Sequence, residues 1–165
     1  MAIPPYLLQE ALQRALKADV RLEFVEGIPT WECGGSTRHQ VTITNILKSI
    51  EPGQAIGEPF SIYKVLISFP DGSFKQPDIS IFGGEPEAGE EALAVIPMAI
   101  VEVLSPGFEH KDLLVGPPFY LKHGVLDVVV VDPRAGAGKH FTSEGVTDFA
   151  SPCKISLQCG CTLTA

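Results

Sequence analysis

Apolar residues recur at helical spacing at Tyr6, Leu7, Leu8, Ala11, Leu12, Ala15 and Leu16, which predicts an amphipathic helix over residues 5–17. Alternation takes over at Arg21–Glu26 (RLEFVE). That stretch reads as a strand, with Gly27 as a turn and residues 28–33 as its hairpin partner. Ser36 stands where an N-cap belongs, ahead of a helix that places Ile43, Ile46, Leu47 and Ile50 on one face and ends by Pro52-Gly53. Residues 60–69 read as one long strand. Pro70-Asp71-Gly72 turns it, and residues 74–82 return antiparallel to it. The acidic, glycine-rich stretch 83–94 reads as a solvated loop, and residues 99–104 form the next strand. Residues 107–123 are mixed. Residues 125–131 are apolar almost without interruption, the pattern of a strand covered on both faces. A turn over 133–138 leads into a tail of short strands, 139–165. The order of elements predicts an α/β fold, a mixed central sheet flanked by helices, in a single domain over residues 1–165.

Composition narrows the class. With 165 residues, 45% of them apolar, the chain has enough material for a packed core. A net charge of −8 argues against a surface built for strong nonspecific phosphate binding, although a local basic patch or bound cations offset such a balance. Met1-Ala2-Ile3-Pro4-Pro5 lacks the basic and apolar regions of a signal peptide, and no apolar run approaches the ~20 residues of a membrane helix. These features predict a soluble, cytoplasmic chain with no membrane partner and with reduced thiols. Cys33 stands alone, and Cys153, Cys159 and Cys161 lack the usual zinc-ligand spacing, so they read as ordinary residues of the terminal strands. Gly136-Ala137-Gly138-Lys139 lacks both the first glycine and the Ser/Thr of a phosphate loop.

Two apolar strands each carry one acid. Asp78 lies in Phe74-Lys75-Gln76-Pro77-Asp78-Ile79-Ser80-Ile81-Phe82, and Glu102 in Ala99-Ile100-Val101-Glu102-Val103-Leu104. An ionised carboxylate buried in a strand is costly unless a partner or a metal compensates it. If the two strands are neighbours, both carboxylates point to the same end of the sheet. Two carboxylates plus water suit Mg2+ (or Mn2+), which retains much of its hydration, polarises a phosphodiester and activates an attacking water.

Pro77-Asp78 followed by Glu102-Val103-Leu104 resembles the PD-(D/E)XK motif of the restriction-endonuclease-like superfamily. Gln76-Pro77-Asp78-Ile79-Ser80, Val101-Glu102-Val103-Leu104-Ser105-Pro106, Asp112-Leu113, Tyr120 through Gly124-Val125 and Val130-Val131-Asp132-Pro133 are similar, in that order, to a large restriction-endonuclease-like family abundant in cyanobacteria. Leu22-Glu23-Phe24-Val25-Glu26-Gly27 and Arg38-His39-Gln40 fit its upstream landmarks. The resemblance implies a restriction-endonuclease-like core and a Mg2+-dependent endonuclease acting on nucleic acid, DNA above all. It also implies a homodimer, since this superfamily often dimerises to cut both strands. It makes Asp78 and Glu102 the metal-binding carboxylates and Glu23 a third acid, with Gln76 and His39 lining the cleft. The superfamily's lysine position is Leu104 here. The alternative position in the following helix falls at Gly116, where a proline pair interrupts the helix. Lys111 and Lys122 are the nearby substitutes. A catalytically impaired member that acts as a binding or oligomeric module is the alternative reading.

Each residue also has a plainer role open to it. Asp78 can bond nearby backbone as a strand-start residue. Glu23 alternates with apolar neighbours and fits a solvent-facing position as well as a site. His39 can cap or pair near a helix start, and Lys75 and Lys111 read as solvated.

Overall fold

The computed structural model describes all residues except 1–3, 19, 34, 54–57 and 90, so Met1–Ile3 and one position of the acidic loop lie outside the described residues. Helix α1 (Pro5–Lys17) starts on a proline at its first position, where a missing N–H costs nothing. Strands β1 (Val20–Val25) and β2 (Ile28–Cys33) form a hairpin that pairs Arg21 with Glu32 and Glu23 with Thr30. Its two turn residues, Glu26 and Gly27, both have positive φ, the hairpin geometry that matches strand twist. Ser36 caps α2 (Thr37–Ser49) by accepting the His39 N–H at 3.3 Å.

The stretch expected as one strand over 60–69 is two: β3 (Phe60–Tyr63) and β4 (Ile67–Ser68). Its return leg is likewise split into β5 (Phe74–Lys75) and β6 (Ile79–Phe82). The register is continuous across the break, because Phe60 opposes Phe82 and Ile67 opposes Lys75. The hairpin therefore forks. Its open end joins one sheet and its closed end another. Lys64 takes a left-handed φ of 46° at the fork, and Pro77 has no N–H to offer a ladder. Lys64 N–H donates to the Asp78 carbonyl at 3.1 Å, and the Gln76 side-chain amide donates to the Lys64 carbonyl at 2.9 Å. Alternation alone cannot register such a fork, since the inward and outward pattern runs through it unchanged.

Strand β7 (Ala99–Val103) pairs antiparallel with β6 and parallel with β8 (Asp127–Asp132). The latter starts two residues later than the apolar run suggested. Between them a π-helical turn (Lys111–Val115) runs into α3 (Gly116–Lys122). The proline pair does not interrupt this helix. Pro117 and Pro118 occupy its first turn, and their missing N–H groups are bypassed by the Gly116 N–H donating five residues back to the Lys111 carbonyl. The chain continues through β9 (Ala137–Thr142), β10 (Gly145–Ala150), β11 (Lys154–Ser156) and β12 (Thr162–Thr164).

Six strands make the central mixed sheet, in the order β10-β9-β8-β7-β6-β3, and a second sheet runs β2-β1-β5-β4. Ile43 and Ile46 of α2, with Leu157, Cys159, Cys161 and Leu163 of the C-terminal hairpin, cover one face of the central sheet at Ile79, Ile81, Val101 and Val129. Phe119 and Tyr120 of α3 cover the other at Ile100, Val128 and Val130. Both faces of β8 are buried, as its composition requires. Cys159 and Cys161 lie in the turn between β11 and β12, not in the strands, with their sulfurs 3.3 Å apart inside this core. No described helix is long and apolar enough to cross a membrane.

Candidate functional site

The fork of the hairpin leaves a gap between the two sheets, and charged side chains from both fill it. Asp78 precedes β6 and Glu102 sits in β7. Extending the β6–β7 register by one residue sets them opposite one another. Each caps the other's strand: Asp78 N–H donates to Glu102 Oε2 at 3.3 Å, and Val103 N–H donates to Asp78 Oδ2 at 2.8 Å. From α3, the Tyr120 hydroxyl donates to Glu102 Oε1 at 2.8 Å. From the first turn of α2, His39 Nε2 lies 3.2 Å from Asp78 Oδ2.

The second sheet contributes Arg21, Glu23, Glu32 and Lys75. Glu23 and Lys75 oppose each other one step from the Phe24–Phe74 pair, and Lys75 Nζ donates to Glu23 Oε2 at 2.8 Å. The other Glu23 oxygen accepts the Gln76 backbone N–H at 2.9 Å. Arg21 donates to Asp78 Oδ1; its Nη1 lies 2.7 Å from Glu32 Oε1 and 3.7 Å from Glu102 Oε2. From the π turn, Lys111 Nζ reaches Glu32 Oε2 at 3.2 Å, Asp112 Oδ1 at 3.3 Å and Glu23 Oε2 at 3.6 Å.

Nearly all of this is out of water. Asp78 is fully buried, and Glu23, Lys75 and Glu102 are each 1% exposed; the Lys111 side chain is the outermost at 12%. Five carboxylates (Glu23, Glu32, Asp78, Glu102, Asp112) thus face three cationic side chains (Arg21, Lys75, Lys111). Burial opposes the Asp78 charge, but Arg21 and His39 outweigh it and hold the carboxyl below its ordinary range. Glu23 is held down in the same way by Lys75, Lys111 and Arg21. At Glu102 burial wins over Arg21, and the neighbouring Asp112 and Asp78 add to it, so the carboxyl is pushed up to about 8. Asp112 is pushed up to about 6 by burial against the pull of Lys111, with Glu32 adding to the rise. Lys111 is the converse. Burial opposes its charge, and Glu23 and Glu102 still raise its pKa.

Asp78, Glu102, Glu23, His39 and Lys111 fall in this cluster and Gln76 reaches it through its backbone N–H, but Lys122 does not, and not every expected surrounding holds. Glu23 faces inward, not toward solvent. Lys75, expected as solvated, is buried, and Lys111, expected likewise, is half-buried with only 12% of its side chain exposed, because each finds Glu23 across a sheet or helix boundary. The Gln76 side chain is taken up by the hairpin fork. Lys122 stays exposed and pairs with Glu26. Arg21 and Glu32 carry no site signal in the sequence, and Asp112 enters there only as part of the family resemblance, without a role in the site. The hairpin register, set by the turn at Glu26-Gly27, does place Arg21 beside Glu32. Among the described residues no group of three or more His, Cys, Asp or Glu side chains is arranged to hold a metal ion.

No curated protein matches this chain. Its fold is similar to that of a crystal structure from Anabaena variabilis ATCC 29413, described as a putative nuclease belonging to DUF820. The TM-score is 0.61 and the identity 20%, over 81% of this chain and 79% of that one. The Uma2 family model, described as "Putative restriction endonuclease", matches residues 8–152, and the chain belongs to that family.

Proposed function

We propose that the chain is a divalent-metal-dependent nuclease that hydrolyses phosphodiester bonds of nucleic acid, with Asp78 and Glu102 as the pair that holds the ion. The observation that carries this reading is their convergence: two buried carboxylates at adjacent strand ends share one cationic partner, Arg21. The donor set fits a hard divalent cation. It is all oxygen, and the five carboxyls of the cluster outnumber its three arginine and lysine side chains by two. Asp78 and Glu102 would hold such an ion, which would polarise the phosphate and lower the pKa of an attacking water.

The remaining residues support and orient the pair. Tyr120 fixes Glu102 and the Val103 N–H fixes Asp78, with His39 beside the same oxygen, so that each carboxylate presents a set oxygen. Glu23, pinned by Lys75 and the Gln76 N–H, is the third acid. Gly116 leaves the helix without its expected lysine, and Lys111 brings a positive charge to the cluster from the π turn. Its raised pKa makes it a fixed cation that stabilises phosphate charge, not a proton acceptor.

The test is incubation of the full chain with plasmid DNA and with single-stranded DNA and RNA, in Mg2+ or Mn2+, beside Asp78→Asn. Metal-dependent cleavage lost in the variant is the expected result. Equal nicking by both proteins identifies a contaminant and removes the reading. A second reading, a binding module on a nuclease fold, is favoured by Gly116 and by the depth at which both acids are buried. Mn2+ binding that needs Asp78, with no cleavage of any substrate, selects it.

A further inference from the structure

Arg21 occupies an unusual position for a structural arginine. Its guanidinium contacts three carboxylates: Asp78, just before β6, and Glu102 of β7 on the inside, and Glu32 of β2 on the outside. Its Nε is buried without an acceptor, so the group is not fully satisfied where it stands. Glu32, its outer partner, lies on the edge strand β2 of the smaller sheet and is itself steadied by Lys111 at 3.2 Å. The guanidinium therefore has one partner that is not part of the inner pair.

We propose that Arg21 is a built-in competitor of the divalent cation: it closes the pair Asp78–Glu102 in the metal-free chain, and ion entry shifts it onto Glu32. The inference rests on the reading of Asp78 and Glu102 as the ion-holding pair. The reason is one of shared lone pairs. A guanidinium that donates to a carboxylate oxygen uses the position from which that oxygen would ligate a metal, and two cations at one pair of carboxylates repel each other. An ion that must displace a resident group binds with its affinity reduced by the fraction of molecules already open. Arg21 then sets how much metal the centre needs before it opens.

The experiment is titration of the full chain with Mn2+ alone. It is followed by calorimetry and by loss of the free-ion paramagnetic resonance signal, on wild type, Arg21→Gln, Arg21→Lys and Asp78→Asn. Arg21→Gln is expected to bind Mn2+ at least ten-fold more tightly than wild type, to melt at a lower temperature without metal, and to gain more melting temperature from it. Arg21→Lys retains a cation but not the forked reach across two acids. It is expected to tighten binding several-fold, and it carries the test if the Gln variant does not fold. Affinity unchanged or weakened in both Arg21 variants, with binding still abolished by Asp78→Asn, overturns the competitor role and leaves the pair intact. Binding that Asp78→Asn does not alter, or no binding by any of the proteins, removes the pair itself and the competitor with it.

Discussion

Replacing Glu102 by Gln removes one buried charge and almost no volume, so its effect on stability isolates what the charge costs. The amide fits the existing partners: its oxygen can accept the Asp78 N–H, and its nitrogen can donate to the Tyr120 oxygen. Burial pushes the Glu102 carboxyl up to about 8 against the pull of Arg21, with Asp112 and Asp78 adding to the rise. In the unfolded chain it titrates near the ordinary value of about 4.3. Between those values the folded chain holds one proton more than the unfolded chain. Stability therefore falls as pH rises, by about 1.4 kcal/mol per pH unit for this group. From pH 5 to pH 8 that is at most about 4 kcal/mol. The Gln variant carries no such slope. It is expected to match wild type at pH 5 to within about 1 kcal/mol and to exceed it by a few kcal/mol at pH 8. Asp112, pushed up to about 6 by burial, tilts both curves the same way and to first order cancels in the difference.

The assay is urea unfolding of both proteins from pH 5 to 8.5, comparing midpoints at constant m. The reasoning fails if the variant loses ground as pH rises. That result means that Arg21, 3.7 Å from Glu102 Oε2, keeps the carboxylate ionised and that burial does not win.

Two further predictions test how the cluster and the core are assembled. Lys75→Met leaves Glu23 buried with only Lys111 at 3.6 Å and the Gln76 N–H. It is expected to cost about 3–5 kcal/mol, most of it recovered by adding Glu23→Gln; unfolding midpoints that show no recovery separate the two residues. Gly53→Ala would set a methyl 1.3 Å from the Gly160 carbonyl oxygen, backbone against backbone, where the C-terminal hairpin meets the segment after α2. A loss of more than about 2 kcal/mol is expected, and a neutral result on thermal unfolding would mean that the close approach is not made.

Elements that rest on local signals were legible in the sequence. The helix over 5–17, the hairpin partner at 28–33 and the Ser36 cap depend on periodicity and capping within a few residues. What was not legible depends on residues far apart. The fork at 64–66 against 76–78 needs Lys64 to take a left-handed φ and the Gln76 amide to reach its carbonyl. Neither choice is written in the apolar pattern. The proline pair looked like an interruption because proline removes donors from an α ladder. The chain answers with a π turn before the prolines, and that turn is what aims Lys111 inward. Asp78 and Glu102 stood out because an acid among apolar strand residues is anomalous by itself. Lys75 did not, and Lys111 did so only as a cleft residue standing in for the missing lysine, because a lysine reads as solvated until its partner is known.

The placement of the cluster is itself an argument about purpose. Burying five carboxylates and three cationic side chains does not follow from a need for stability. Well-packed apolar residues often serve as well or better than buried ion pairs, and here burial pushes the Glu102 carboxyl up to about 8. The same gap could have been closed by continuing the hairpin ladder, which needs only ordinary residues at Lys64 and Pro77. Instead the ladder opens at the two strand ends where the acids converge. The strand-end capping between Asp78 and Glu102 holds their oxygens together alongside the contacts that Arg21 makes to both. A pair of acids aligned by reciprocal backbone donors, with one arginine bridging them, is preorganised for a cation and not merely tolerant of one.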